Sequence, residues 1–315
     1  MIGQIYRLAC DNESELPSSN KVMATCASHY IYNHIKNGRP VNPEDHTVLY
    51  REYAPKREVE VVCVNPKELD EEQLKIYLTK VIQDGISVRN ILSILDDRQI
   101  SEEISDPSLL KQMVIQTAPM FRDRKEITAA DIYGAYADIW ISREDWRSRL
   151  SAEGKKILIA ELTLAMFRKG ILTLNTSDLP ASGAGYVRSE EPGAYPEDMS
   201  FCPFLNCDEK GNYTFVHPSF LYYFLAKQYF DRIRNRQERL FPADKLDKTS
   251  VYFLKTIISS EKASLSGLDL SGLDLENTNL YRANLSGVNL NESNLKSAEL
   301  MGAILSDADL TGANL

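Results

Sequence analysis

The residues that could carry chemistry here are histidines, cysteines, acidic pairs and one glycine–lysine run, and their spacing suits little of it. The histidines are His29, His34, His46 and His217. No two of them stand at the i, i+4 spacing that turns two imidazoles toward one metal. Cys26 and His29 are close in sequence, but in a strand-like context that does not favour a Cys–His nucleophile pair. Gly154-Lys155-Lys156 comes nearest to a phosphate loop, GxxxxGK[ST], yet Arg149 stands where the first glycine is needed and Lys156 where Ser or Thr is needed. It reads as a solvated basic turn at a helix start. There is no GxSxG. Glu102-Glu103 and Glu190-Glu191 lie in polar stretches and read as solvated. His217, followed by Pro218 and Ser219, stands at the start of a helix, where an imidazole beside backbone N–H groups suits an anion. For this chain alone, a half-buried histidine bonding to backbone is the favoured reading. Pro107 likewise works as the first residue of a helix.

The elements that must position these residues belong to a 315-residue chain, 43% hydrophobic and 26% charged, with a formal charge of −9. That length suits two domains and that composition a globular class. An acidic chain is not built to grip phosphate backbones over its whole surface, so no direct nucleic-acid binding is expected. No apolar run reaches the ~20 residues of a membrane span, and MIGQIYRLACDNESE does not read as a signal peptide. Five cysteines, Cys10, Cys26, Cys63, Cys202 and Cys207, show no CxxC spacing. A reduced, cytoplasmic, membrane-free protein without metal is the expectation.

Hydrophobic periodicity outlines the first 260 residues. KVMATCASHY (21–30) and EVEVVCV (58–64) read as strands. Asp70 precedes a helix with Leu74, Tyr77, Leu78, Val81 and Ile82 on one face, and Pro107 opens another. Thr128 and Asp131 form a capping box before Ile132, Tyr133, Tyr136, Ile139 and Trp140. A helix over about 153–169 turns Leu158, Leu162, Ala165 and Met166 inward. Residues 176–200 read as a long loop or flap. A hairpin is expected between Phe201 and Phe215, and a helix from His217 to about 233. The aromatics Tyr213, Phe215, Phe220, Tyr222, Tyr223, Phe224, Tyr229 and Phe230 read as core rather than as a base-stacking platform.

The strongest pattern is C-terminal. Leucine recurs at Leu265, Leu270, Leu275, Leu280, Leu285, Leu290, Leu295, Leu300, Leu305, Leu310 and Leu315. Small or apolar residues, among them Ala283, Ala298, Ala303, Ala308 and Ala313, stand two places earlier, and Asp or Asn usually stands between. A period of five is neither helix nor simple strand. A chain that turns every five residues would point the same two positions inward on every side, with Asn and Asp supporting the turns. The eleven leucines would then form a stacked interior.

This A(D/N)LXX pattern, as in Ala283-Asn284-Leu285 and Ala313-Asn314-Leu315, resembles the pentapeptide-repeat family. The resemblance implies a right-handed, four-sided β-helix over about 263–315, with four pentapeptides per coil. Eleven pentapeptides make fewer than three coils, and the run stops on a leucine without a polar cap, so further coils are expected. Residues 261–315 hold eight acids and three bases, which is acidic but short for imitation of a DNA duplex.

A second resemblance spans about 20–230. KVMATCASHY is similar to the sensor-1 strand of NACHT-type STAND NTPases, VCVNPKELDEEQLKIYL to the strand and helix after it, DPSLLKQMV to a PLLLxMI helix, ITAADIYGAYADIWISRE to the family's LYxxYxxxWLxRE segment, and YTFVHPSFLYYFLA to the closing FxFxHxSFxEYFxA of the winged-helix region. Against that pattern Ala27 replaces an arginine, Tyr222 a glutamate, and Walker A and B are absent. The resemblance implies four parts: a partial α/β remnant (1–65), a small helical domain (66–125), a winged-helix-like helical domain (126–260) and the β-helix (261–315). The fold class is therefore multidomain and mainly α-helical, ending in a solenoid. His217 and Pro107 would be nucleotide contacts only in an intact, longer relative with ATP or ADP and Mg; the chain itself needs no cofactor and is not an enzyme. The expected function is a non-catalytic sensor module of a signalling or defence protein, with the repeat as the partner-binding surface and homo-oligomers as the active form. The alternative is a stand-alone repeat protein that inhibits a partner such as a topoisomerase.

Overall fold

The computed structural model describes residues 47–50, 59–62, 71–97, 107–122, 124, 126–142, 151–175, 202, 204–208 and 212–315. The chain divides into two units, Met1–Glu68 and Leu69–Leu315. In the first, β1 (Thr47–Tyr50) pairs antiparallel with β2 (Val59–Val62), Thr47 opposite Val62. The strand expected over 58–64 is thus β2, whereas β1 has no counterpart in the sequence reading. The strand over 21–30 and the loop over 176–200 lie outside the described residues.

The second unit begins with three helices. α1 (Glu71–Ile82) buries Leu74, Leu78 and Ile82 at helical spacing. α2 (Gly85–Asp96), unforeseen, is capped by Asp84, whose carboxylate accepts the Ser87 N–H at 2.8 Å. α3 (Pro107–Thr117) opens on proline and runs into a 3₁₀ turn, Ala118–Phe121.

α4 (Ala129–Ile141) starts with the expected capping box, Thr128 and Asp131 each bonding the other's backbone. It buries Ile132, Tyr133, Tyr136 and Trp140, but Ile139 is exposed. α5 (Ala152–Lys169) is capped by Ser151 and ended by Gly170 at φ +63°, the left-handed C-cap that glycine adopts without penalty. Strands β3 (Thr173–Asn175), β4 (Leu205–Cys207) and β5 (Asn212–Phe215) form an antiparallel sheet in the order β3-β5-β4. β4 and β5 are the expected hairpin; three-residue β3 was too short to signal.

α6 (Pro218–Arg234) and α7 (Lys248–Ser260) pack together and complete the body. The aromatic run is core: Tyr133 stands 5.1 Å from Phe220 and 4.8 Å from Phe253, ring centre to ring centre. Tyr136 lies in the same cluster, 6.0 Å from Phe220, and burial pushes its hydroxyl up to about 12.

After a 3₁₀ turn at Lys262–Ser264, the repeat begins at Leu265. Parallel bridges join residues twenty apart: Asp269–Asn289, Asp274–Asn294, Asn279–Glu299, Asn284–Ile304, Asn289–Asp309 and Asn294–Asn314. Each involves a single residue, so the described region carries isolated bridges rather than continuous strands. Between bridges the chain turns. The N–H three residues after each leucine donates to that leucine's carbonyl, as Leu268 does to Leu265 at 3.1 Å. The third residue of every turn, from Gly267 to Gly312 at five-residue intervals, has φ between +54° and +75°, as a type II turn requires.

Candidate functional site

His217 sits where its neighbours put it. It is extended (φ −145°, ψ 140°) and precedes Pro218 at the first position of α6. Its Nδ1 accepts the Ser219 N–H at 3.2 Å and lies 2.8 Å from the Ser219 hydroxyl. That hydroxyl accepts from the buried Tyr133 hydroxyl at 2.8 Å. Because Nδ1 receives a backbone N–H, the ring proton belongs on Nε2. The imidazole therefore acts as an N-cap tied through Ser219 to the core of α4, which is the backbone-bonding role expected for this chain. Pro107 is the first residue of α3.

Lys155 corrects the sequence reading. It is not on a solvated turn: it is buried, donates to the Trp140 carbonyl at 3.2 Å and lies 4.9 Å from the centre of the Trp140 ring. A cation over an indole face is attracted to the ring while its stem packs. The residue reinforces the α4–α5 contact. The Cys202 thiol is fully buried, and burial pushes it well above its ordinary value, which favours the protonated thiol. Among the described residues no cluster of His, Cys, Asp or Glu could hold a metal ion, and no helix is long and apolar enough to cross a membrane.

In the repeat, Leu265, Leu270, Leu275, Leu280, Leu285, Leu290 and Leu295 are buried, with Ala283 beside them. Leu300, Leu310, Ala298, Ala303, Ala308 and Ala313 are half-buried; Leu305 is 37% exposed and Leu315 72%. The gradient has a simple cause: up to Leu295 the residue twenty places on is present to cover each leucine, whereas from Leu300 onward a leucine is covered on one side only. From Asp269 to Asp309, each Asp or Asn before a leucine supports its turn, the carboxylate or amide oxygen accepting the N–H two residues on, as Asn279 accepts from Tyr281 at 3.0 Å. Their side chains also climb the wall: the Asn314 amide donates to Asn294 and the Asn294 amide to Asp274, each at 3.0 Å.

The joint between body and repeat was not legible in the sequence. The Arg239 guanidinium donates to the carbonyls of Ser271 at 2.8 Å and Asp269 at 3.0 Å. Lys255 of α7 donates to Asp274 at 2.9 Å. Lys262 pairs with Glu126, and its own carbonyl accepts the Asn284 N–H at 2.9 Å. Asp131 adds a further tie, accepting from Ser260 at 2.8 Å and from Arg124 at 2.9 Å. A polar cleft of about 480 Å³ opens beside these groups, with Asn90, Arg124, Ser260 and Asn279 in its lining. What it can do is hold the first coil against α7 and the start of α4.

Comparison with known proteins bears on the repeat. The family model of pentapeptide repeats matches residues 278–315 in eight copies. No curated protein matches the chain. Repeats of this kind point to a role in protein interaction.

Proposed function

We propose that the chain is a non-catalytic regulatory module in which a helical body carries a partner-binding repeat, as in the C-terminal half of a NACHT-type STAND protein. Residues 265–315 would form a right-handed, four-sided β-helix, a reading supported by bridges spaced twenty residues apart, four pentapeptides. Stacked repeats present extended side walls, a geometry suited to binding.

The observation that carries the reading is the joint. Arg239, Lys255 and Lys262 hold the first coil to α6–α7 through main-chain and side-chain bonds. A partner pulling on the repeat would therefore load the helices directly, which a two-state switch needs. The chain would neither bind nucleotide tightly nor hydrolyse ATP, since it has no Walker A loop. His217 would become a nucleotide contact only where an upstream phosphate loop faces it. Homo-oligomers would be the released state.

The test is the mass of the native protein in its source cells, by immunoblot and mass spectrometry, together with equilibrium dialysis of ADP against this chain. A much larger product that binds ADP, beside a chain that does not, supports the reading. A native product of this chain's size, or tight ADP binding or ATP turnover by the chain alone, overturns it. Stoichiometric inhibition of a topoisomerase would favour the mimicry alternative instead.

A further inference from the structure

The walls of the repeat are polar with one interruption. From 269 to 314, the residue before each leucine is Asp, Asn or Glu except at Ile304. From 266 to 311, the residue after each leucine is polar except at Tyr281 and Met301. The three exceptions fall together. The Arg282 N–H donates to the Met301 carbonyl at 3.0 Å, and Asn284 is the bridge partner of Ile304. A Cβ on Gly302 would stand 3.1 Å from the Arg282 Cγ, so the arginine stem crosses from one coil to the next.

Met301 is 68% exposed and Ile304 52%. Ile304 lies between the inward positions Ala303 and Leu305, and alternation along an extended side turns it outward. The Arg282 guanidinium lies 5.0 Å from the Tyr281 ring centre and makes no ion pair among the described residues, in a segment that is otherwise acidic.

We infer that this patch docks an extended segment of a partner protein, with a large apolar side chain on Met301 and Ile304 and a carboxylate on Arg282. The inference rests on the partner-binding reading above. Area and charge select the occupant. A second copy would need about 800 Å² from each partner for a stable interface, more than three side chains provide. A short peptide needs only one apolar anchor and one charge-assisted pair.

The experiment pans a display library of random twelve-residue peptides on the whole chain and measures the enriched peptides by calorimetry. The expected peptides carry Asp or Glu within three residues of Leu, Ile, Met, Phe or Trp. Their affinity falls at least tenfold for the double variant Met301→Ser, Ile304→Asn and for Arg282→Glu, and is unchanged for Lys296→Glu. Circular dichroism of each variant confirms the fold, since these side chains are exposed. Enriched peptides that ignore the first two variants but respond to Lys296→Glu overturn the patch and leave the partner-binding reading standing. An absence of enriched peptides, or self-association in sedimentation that the patch variants abolish, overturns the inference.

Discussion

The Arg239 guanidinium grips the main chain of Ser271 and Asp269, 32 and 30 residues away, and so locks the connection between α6 and α7 to the start of the repeat. Both bonds are charge-assisted, and the Asp269 carboxylate lies 3.3 Å from the same guanidinium nitrogen. Replacing Arg239 by alanine should cost about 1.5–3 kcal/mol, the range for hydrogen bonds to a charged group. Arg239→Lys should not recover it, because an ammonium cannot reach two carbonyls as a planar fork does. Thermal denaturation of both variants checks this; a full rescue by lysine would show that charge alone holds the joint.

Glu292 occupies a turn position at φ +56°, one of ten in the repeat, five of which are glycine: Gly267, Gly272, Gly287, Gly302 and Gly312. A non-glycine residue there carries a backbone cost of about 1–2 kcal/mol. Glu292→Gly should raise the melting temperature, with part of that gain returned to the more flexible unfolded chain. Gly272→Ala, with open space around it but φ +65°, should lower the melting temperature for the converse reason. Unfolding of the two variants by denaturant tests both signs together.

Asn289 separates two aspartates in one column, bridged to Asp269 below and Asp309 above, and its amide donates to Asp269 at 3.0 Å. Asn289→Asp would stack three carboxylates and remove the donor. Like charges facing each other across strands destabilise. The melting temperature should fall at pH 7, and the deficit should shrink in high salt and on acidification toward pH 3. An unchanged deficit across salt would mean that the lost hydrogen bond, not repulsion, is responsible.

Asp274 sets a pH dependence. Partial burial pushes its carboxyl up, but the Lys255 ammonium and the Glu276 N–H outweigh that, and the net position is below the ordinary value. A depressed carboxyl stabilises the fold above its unfolded value of about 3.9, and that contribution disappears as pH falls through the lower folded value. Asp274→Asn should therefore lower the melting temperature at pH 7 by an amount corresponding to about 1 kcal/mol or less, as for a largely exposed pair. The two proteins should converge as pH falls through the folded value of Asp274. Melting curves from pH 2 to 8 measure it.

Gly134 lies inside α4, where alanine would normally be preferred by about 1 kcal/mol. Here a Cβ would stand 2.9 Å from the buried Tyr223 hydroxyl. Gly134→Ala should destabilise the body despite its better helix propensity. Adding Tyr223→Phe, which removes the oxygen, should restore the missing stability. Failure of that rescue would place the constraint elsewhere.

Much of the architecture was legible because it rests on local physics. The Thr128–Asp131 box, the Pro218 helix start and the burial of Leu74, Leu78 and Ile82 follow from capping and periodicity, which involve neighbours within about four residues. The five-residue leucine period likewise announced a chain that turns repeatedly, because each turn is closed by its own leucine carbonyl and most also by their own Asp or Asn. α2 and β3 are absent from the sequence reading for different reasons: α2 carries local signals of its own, an Asp84 cap and Val88, Ile91 and Leu95 at helical spacing, whereas β3 has only three residues.

Sequence alone marked Leu265, Leu270, Leu275, Leu280, Leu285, Leu290 and Leu295 as the repeat positions that are buried, and showed that these 315 residues contain no phosphate loop. Tertiary structure decided where Lys155 goes, since only the fold brings Trp140 over it. It also decided the joint and the patch: Arg239 meets Ser271, and Tyr281 and Met301 share one wall with Ile304, only once coils of twenty residues are stacked. Contacts between residues so far apart depend on how the whole chain closes, and no local spacing encodes that closure.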